Sequence, residues 1–96
     1  MIEVKTVRYI DMEEVCEHFG THISDYYFLE MVENDSYVRL WCDDEGLDYL
    51  EDVIDWEAKH GSVERFNKIK NDFALVKYLR DELGIRDETV LVWVCW

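Results

Sequence analysis

The 96-residue chain contains no proline and only four glycines. With no Pro- or Gly-rich stretch, no repeat and no low-complexity segment, nothing divides it, and a single domain over residues 1–96 is expected. Cysteine is scarce as well. Cys16, Cys42 and Cys95 are odd in number, far apart and in no C-x-x-C pair, which excludes a disulfide scaffold and points to reduced thiols. No run approaches the roughly 18 apolar residues of a membrane span, and the opening "MIEVKTVRYIDMEE" lacks an apolar signal core. A soluble, cytoplasmic protein is expected. Positive charge is the last shortage: 10 Lys and Arg stand against 23 Asp and Glu, for a formal net charge of −13. That surplus repels phosphate and anionic lipid, so neither nucleic acid nor a membrane is expected as a direct partner. A positively charged partner is favoured instead.

What is present supports a folded core. Hydrophobic residues make up 49% of the chain and aromatics 15%, which excludes a disordered acidic tail. Four Trp, six Tyr and four Phe are a heavy aromatic load for this length, so some rings should reach the surface as contact residues.

The patterning alternates between strand and helix. "IEVKTVRYI", rich in β-branched residues, reads as a first strand. "DMEEVCEHFG" reads as a short helix capped by Asp11, with Glu14 completing a capping box and Gly20 making the left-handed exit. Met12, Val15, Cys16 and Phe19 share its apolar face. "DYYFLEMVENDSYVRLWCDD" reads as a hairpin turning at "ENDS", with residues 24–32 open to a helical alternative beginning at Ser24. "GLDYLEDVIDWEAKHG" is a helix closed by Gly61. Ser62 then caps another, "VERFNKIKNDFALVKYLRDELG", which Gly84 closes, with room for a bend at Asn71. "ETVLVWVCW" is a continuous apolar run that suits a central strand covered on both faces. The sum is an α+β domain of about four mostly antiparallel strands with three helices packed on the sheet.

One stretch exceeds what folding requires. "DDEGLDYLEDVIDWE" carries eight carboxylates and no base. At about 100° per residue, Asp44, Asp48, Glu51 and Asp55 form one stripe, with Glu45 and Asp52 along its edge. Leu47, Leu50, Val53 and Ile54 oppose them, and Tyr49 and Trp56 emerge on the boundary. Like charges at three- and four-residue spacing repel by a few tenths of a kcal/mol per pair. Only acids at the amino end recover this from the helix dipole. A row of carboxylates edged by aromatics can imitate a nucleic-acid backbone and engage a Lys/Arg groove. The plain alternative is a solvated face, neutralised in part by Arg65, Lys68, Lys70, Lys77 and Arg80 of the following helix.

Enzymatic chemistry finds little footing. Cys16, His18 and His22 are zinc-ligand types, but Cys16 falls on an apolar face and no fourth ligand is near. Asp55, Glu57 and Lys59 follow the D-x-E-x-K order of metal-dependent nucleases, yet on a helix residues two apart diverge by about 200°. No G-x-S-x-G and no phosphate-cradling glycine loop occurs. No catalytic residue, metal or cofactor is expected.

In "DDEGLDYLEDVIDWE" and in its overall charge, the chain resembles the small acidic anti-defence proteins of phages and mobile elements, among them anti-CRISPR proteins and anti-restriction DNA mimics. The resemblance covers about a sixth of the sequence. It implies an inhibitor that occupies the basic site of a nucleic-acid-binding protein such as a CRISPR or restriction effector. The expected partner-binding residues are Asp44, Asp48, Tyr49, Glu51, Asp52, Asp55 and Trp56. The alternative is an interaction module that homodimerises through Tyr37 and Trp41, its acidity serving solubility alone.

Overall fold

Three strands, β1 (Tyr9–Asp11), β2 (Tyr37–Leu40) and β3 (Val90–Trp93), form one mixed sheet in the order β1–β3–β2. The computed structural model describes residues 2–4, 9–30 and 36–95. The apolar "VLVW" run is the central strand, as its composition requires. It pairs in parallel with β1, Ile10 opposite Val92, and antiparallel with β2, Val38 opposite Val92. One sheet face is fully buried through Ile10, Val38, Leu40, Val90 and Val92. On the other face of β3, Leu91 and Trp93 are only half-buried.

Helix α1 (Met12–Phe19) follows β1 directly. Asp11 caps it by accepting from the Glu13 amide, and Gly20 ends it in the left-handed region at φ 65°. Met12 and Val15 are buried, and Cys16 and Phe19 half-buried, on the expected face. Glu14 makes no capping box. Its Oε2 instead accepts from the Glu3 amide at 3.4 Å. Helices α2 (Asp44–His60) and α3 (Val63–Asp81) lie against each other. Leu75, Val76 and Leu79 of α3 are completely buried in the same core as the sheet's inner face. Burial of each such side chain is worth about 1.5–3 kcal/mol.

Two expectations need correction. Among the described residues the sheet is mixed and has three strands, not four mostly antiparallel ones. The missing strand is the first arm of the expected hairpin. Residues Ile23–Asp25 form a 3₁₀ turn capped by His22, and 27–30 continue as turns. The backbone there is committed elsewhere: the amides of Tyr27 and Phe28 donate to the Asp72 carboxylate at 3.1 Å each, and Tyr26 is buried. The "END" of the expected turn, like residues 5–8 of the first strand, lies outside the described residues. Second, α3 runs unbroken through Asn71, whose side-chain amide donates to the Asp25 carbonyl at 2.9 Å. Gly61 ends α2 as expected, in extended backbone at φ −97° and ψ −172°. A glycine is accommodated there for space, because a Cβ at Gly61 would collide with Oε2 of Glu57.

Among the described residues, no helix is long and apolar enough to cross a membrane. Cys16, Cys42 and Cys95 are all free thiols. Burial pushes the Cys42 thiol up to about 12, although the neighbouring Arg80 charge opposes the shift.

Candidate functional site

Helix α2 carries the acidic stretch. Asp43 caps its start by accepting from the Gly46 amide at 2.9 Å, and Asp44 and Glu45 occupy its first turn, where the dipole favours anions. Leu50 is buried and Leu47, Val53 and Ile54 are half-buried, so the apolar side predicted by the rotation faces the protein. Glu45, Asp48, Glu51, Asp52 and Asp55 are exposed on the other side.

Neutralisation by α3 is confined to one pair. Nη2 of Arg80 meets Oδ1 of Asp44 at 2.7 Å, and Nη1 donates to the Cys42 carbonyl at 2.6 Å. This guanidinium holds the Asp44 carboxyl below the usual range, first by its hydrogen bond and then by its charge. Three more bases of α3 are engaged away from α2, and Arg65 makes no ion pair among the described residues. Lys68 bridges Glu30 and Glu64, Lys77 meets Asp81 at 3.3 Å, and Lys70 lies over the Phe66 ring. Among the described residues, Glu45, Asp48, Glu51, Asp52 and Asp55 have no ion-pair partner. Four of the seven expected site residues, Asp48, Glu51, Asp52 and Asp55, thus form an open anionic face, whereas Asp44 is tied into the fold.

The two aromatics stand out from the helix. Tyr49 is 62% exposed and Trp56 55%. Trp56 rests against the His60 ring one turn on, at 5.5 Å between centroids, while Tyr49 lines a groove of about 760 Å³ against β2. They do not form a single cluster. Across the groove stands Trp41, 53% exposed, just beyond β2.

Sequence reasoning passed over two buried carboxyls. Glu57 lies on the inner side of α2 and is 7% exposed. The rotation that placed the stripe also puts Glu57 between Val53 and Leu50, so the signal was present. Asp72 of α3 is 1% exposed, three residues after Ile69 and four before Val76 on the buried face. Burial raises its carboxyl to about 8 against the opposing hydrogen bonds from Tyr27 and Phe28, and the charge of Glu30 adds to the rise.

The remaining chemical candidates are dispersed. His18 lies against Phe19 and Tyr78 at 4.8 and 4.5 Å, and Nδ1 of His22 accepts from the Ser24 amide, each on a different task from Cys16. Among the described residues, no three His, Cys, Asp or Glu side chains gather as a metal site. Asp55 and Lys59 are exposed while Glu57 is buried, so the D-x-E-x-K residues do not converge. Comparison with models of known families, with characterised proteins and with solved structures finds no match.

Proposed function

We propose that the protein is a binding inhibitor whose acidic α2 face occupies the basic nucleic-acid site of a target protein, such as a CRISPR or restriction effector. One observation carries this reading: Asp48, Glu51, Asp52 and Asp55 are exposed in a row, with no cation of α3 to offset them. Such a row costs the helix stability, and a partner with complementary charge would recover it on docking. Tyr49 and Trp56 flank the row as rigid rings of the kind that anchor interfaces. Steering by a net charge of −13 would make association fast and salt-sensitive.

The test is displacement. Purified effectors holding labelled nucleic acid are titrated with the protein at low and high salt. Release from at least one effector, weakened by salt and lost when Asp48, Glu51 and Asp55 become Lys, is the expected result. Equal binding by the charge-reversed variant would end the reading.

A second reading, self-association through β2, is favoured by the exposure of Tyr37 and Trp41. It predicts a dimer in sedimentation whose affinity barely responds to salt.

A further inference from the structure

Strand β2 is an edge: it pairs with β3 on one side, and among the described residues no strand pairs with its other side. The register shows what that edge presents. The Val94 amide donates to the Ser36 carbonyl at 2.8 Å, so Ser36 and Val94 are a hydrogen-bonded pair of the antiparallel ladder. Such pairs alternate with pairs that exchange no bonds. Val38–Val92 and Leu40–Val90 are therefore bonded, and Tyr37 and Arg39 turn their amides and carbonyls away from β3. Open edges are commonly guarded by proline, a bulge or charge. This chain has no proline, β2 pairs with β3 without a bulge, and Arg39 is the one charge on the strand. Beside the edge lies the groove of about 760 Å³, lined by all of residues 37–41 and, across from them, by Tyr49, Leu50 and Val53 of α2. It thus follows the strand. Tyr37, Trp41 and Tyr49 are exposed along it, while Val38, Leu40 and Leu50 are buried at its base.

We propose that an extended segment of the basic partner adds to β2 as a further strand, its alternate apolar side chains in this groove and its Lys or Arg against the acidic rim of α2. The partner's charge rests on the proposed function, whereas the open edge and the groove stand without it. In this mode of recognition main-chain bonds, here to Tyr37 and Arg39, supply affinity, and pockets for every second side chain supply specificity. The groove's volume is that of sites that bury most of a small ligand, so it holds more than one side chain. Tyr49 joins the groove to the acidic face. Its neighbours one helical turn away, Glu45 and Asp52, are exposed and have no ion-pair partner among the described residues. Those carboxylates select a basic segment over an acidic one. They also work against a second copy of this chain, because pairing β2 with β2 joins two molecules of net charge −13.

Nuclear magnetic resonance and hydrogen exchange on the whole protein test the assignment, with short synthetic peptides that alternate Lys with Val, Leu or Phe as probes. At least one peptide should bind, slow exchange of the Tyr37 and Arg39 amides and shift the indole N–H of Trp41. The same peptide with Glu in place of Lys should not bind. Methylating the alternate peptide nitrogens that face β2 should weaken binding by about tenfold or more, and methylating the other set should weaken it far less. Arg39→Pro removes an outward amide without breaking a bond to β3, at the kind of edge position that accepts proline. It should fold and bind about tenfold more weakly or worse. Arg39→Gln keeps the amide and removes a like charge, so it should bind at least as well as the native protein. No binding by any Lys peptide, equal loss from both methylated sets, or full binding by Arg39→Pro overturns the proposal. A dimer that forms without peptide and dissociates in Arg39→Pro gives the edge to a second copy and also overturns it. If Arg39→Pro fails to fold, the two methylated sets on the native protein decide. Peptide binding without effector displacement refutes the inhibitor alone. Effector displacement without peptide binding refutes the added strand alone.

Discussion

Asp44 and Arg80 meet at 2.7 Å across the junction of two helices, one at the first residue of α2 and the other in the last turn of α3. The same guanidinium holds the Cys42 carbonyl at 2.6 Å, so one side chain fixes where β2 ends and α2 begins. Arg80 is therefore a structural cation, and Asp44 belongs to the fold more than to any recognition surface. Replacing Arg80 with Ala strands the buried carbonyl and removes packing, at an expected cost of about 2–4 kcal/mol in urea unfolding. Asp44→Asn should do much less, because the aspartate is exposed. The lowered Asp44 carboxyl contributes stability at neutral pH that is lost as pH falls through its folded value, so Asp44→Asn should flatten the acid limb of the stability curve.

The acidic row makes an opposite demand on stability and on binding. Converting Asp48, Glu51 and Asp55 to Lys keeps like charges within the triplet but turns its pairs with Asp44, Glu45 and Asp52 at three- and four-residue spacing from repulsive to attractive, worth a few tenths of a kcal/mol each. Thermal melting should hold or rise slightly while target binding disappears. A fall in melting temperature would mean that the row supports the fold.

Asp72 should make stability depend on pH in a set direction. Its carboxyl is raised to about 8 in the folded state, chiefly by burial, against about 3.9 in an unfolded chain. The folded state therefore holds a proton that the unfolded state releases, and its contribution is fully present below about pH 4. That contribution is lost as pH rises toward 8. Self-repulsion among 23 acids pushes in the same direction, so the informative quantity is the difference from Asp72→Asn. This variant should lose the Asp72 part of the slope. It should also be destabilised by about 1–3 kcal/mol at low pH, since an amide cannot accept from both Tyr27 and Phe28. Matching pH profiles for the two proteins would refute the assignment.

Two glycines should tolerate no methyl group, for steric reasons. A Cβ at Gly46 would lie 2.6 Å from the Trp41 carbonyl oxygen and 2.7 Å from its Cβ, and that backbone precedes the bond from the Cys42 amide to Asp87. Gly46→Ala should cost about 1–3 kcal/mol, the usual range for overpacking. At Gly61 the obstacle is the Glu57 carboxyl, the far end of a flexible side chain, so Gly61→Ala should cost less. Calorimetry on both variants checks the order.

Hydrogen exchange should rank the strands. Val92 is completely buried in the middle of the central strand and should be among the last amides to exchange, whereas the two edge strands should open earlier. Rapid exchange at residues 90–93 would contradict the pairing.

Much of this architecture was legible in local chemistry. Asp11, Asp43 and Ser62 announce helix starts because each offers a side-chain oxygen to the amides of a first turn. The "VLVW" run announces a central strand because only burial between neighbours suits it. The exposed row on α2 follows from the rotation of the helix alone. By contrast, the residues that decide the site are polar groups on apolar faces. Asp72 and Arg80 look like breaks in the repeat of α3 until their distant partners, Tyr27, Phe28 and Cys42, are brought to them.

By itself, then, the sequence determined the helices, the central strand, the net charge and the direction in which Asp48, Glu51, Asp52 and Asp55 point, all products of spacing along a single segment. Only the tertiary structure decided that 27–30 turn instead of pairing, that Asp44 is held by Arg80, and that Asp72 is buried where the Tyr27 and Phe28 amides reach it. Each of these depends on a hydrogen bond, or the lack of one, between residues far apart in the chain. Such contacts leave no periodic trace, because the free energy of burying a polar group depends on what the fold places opposite it.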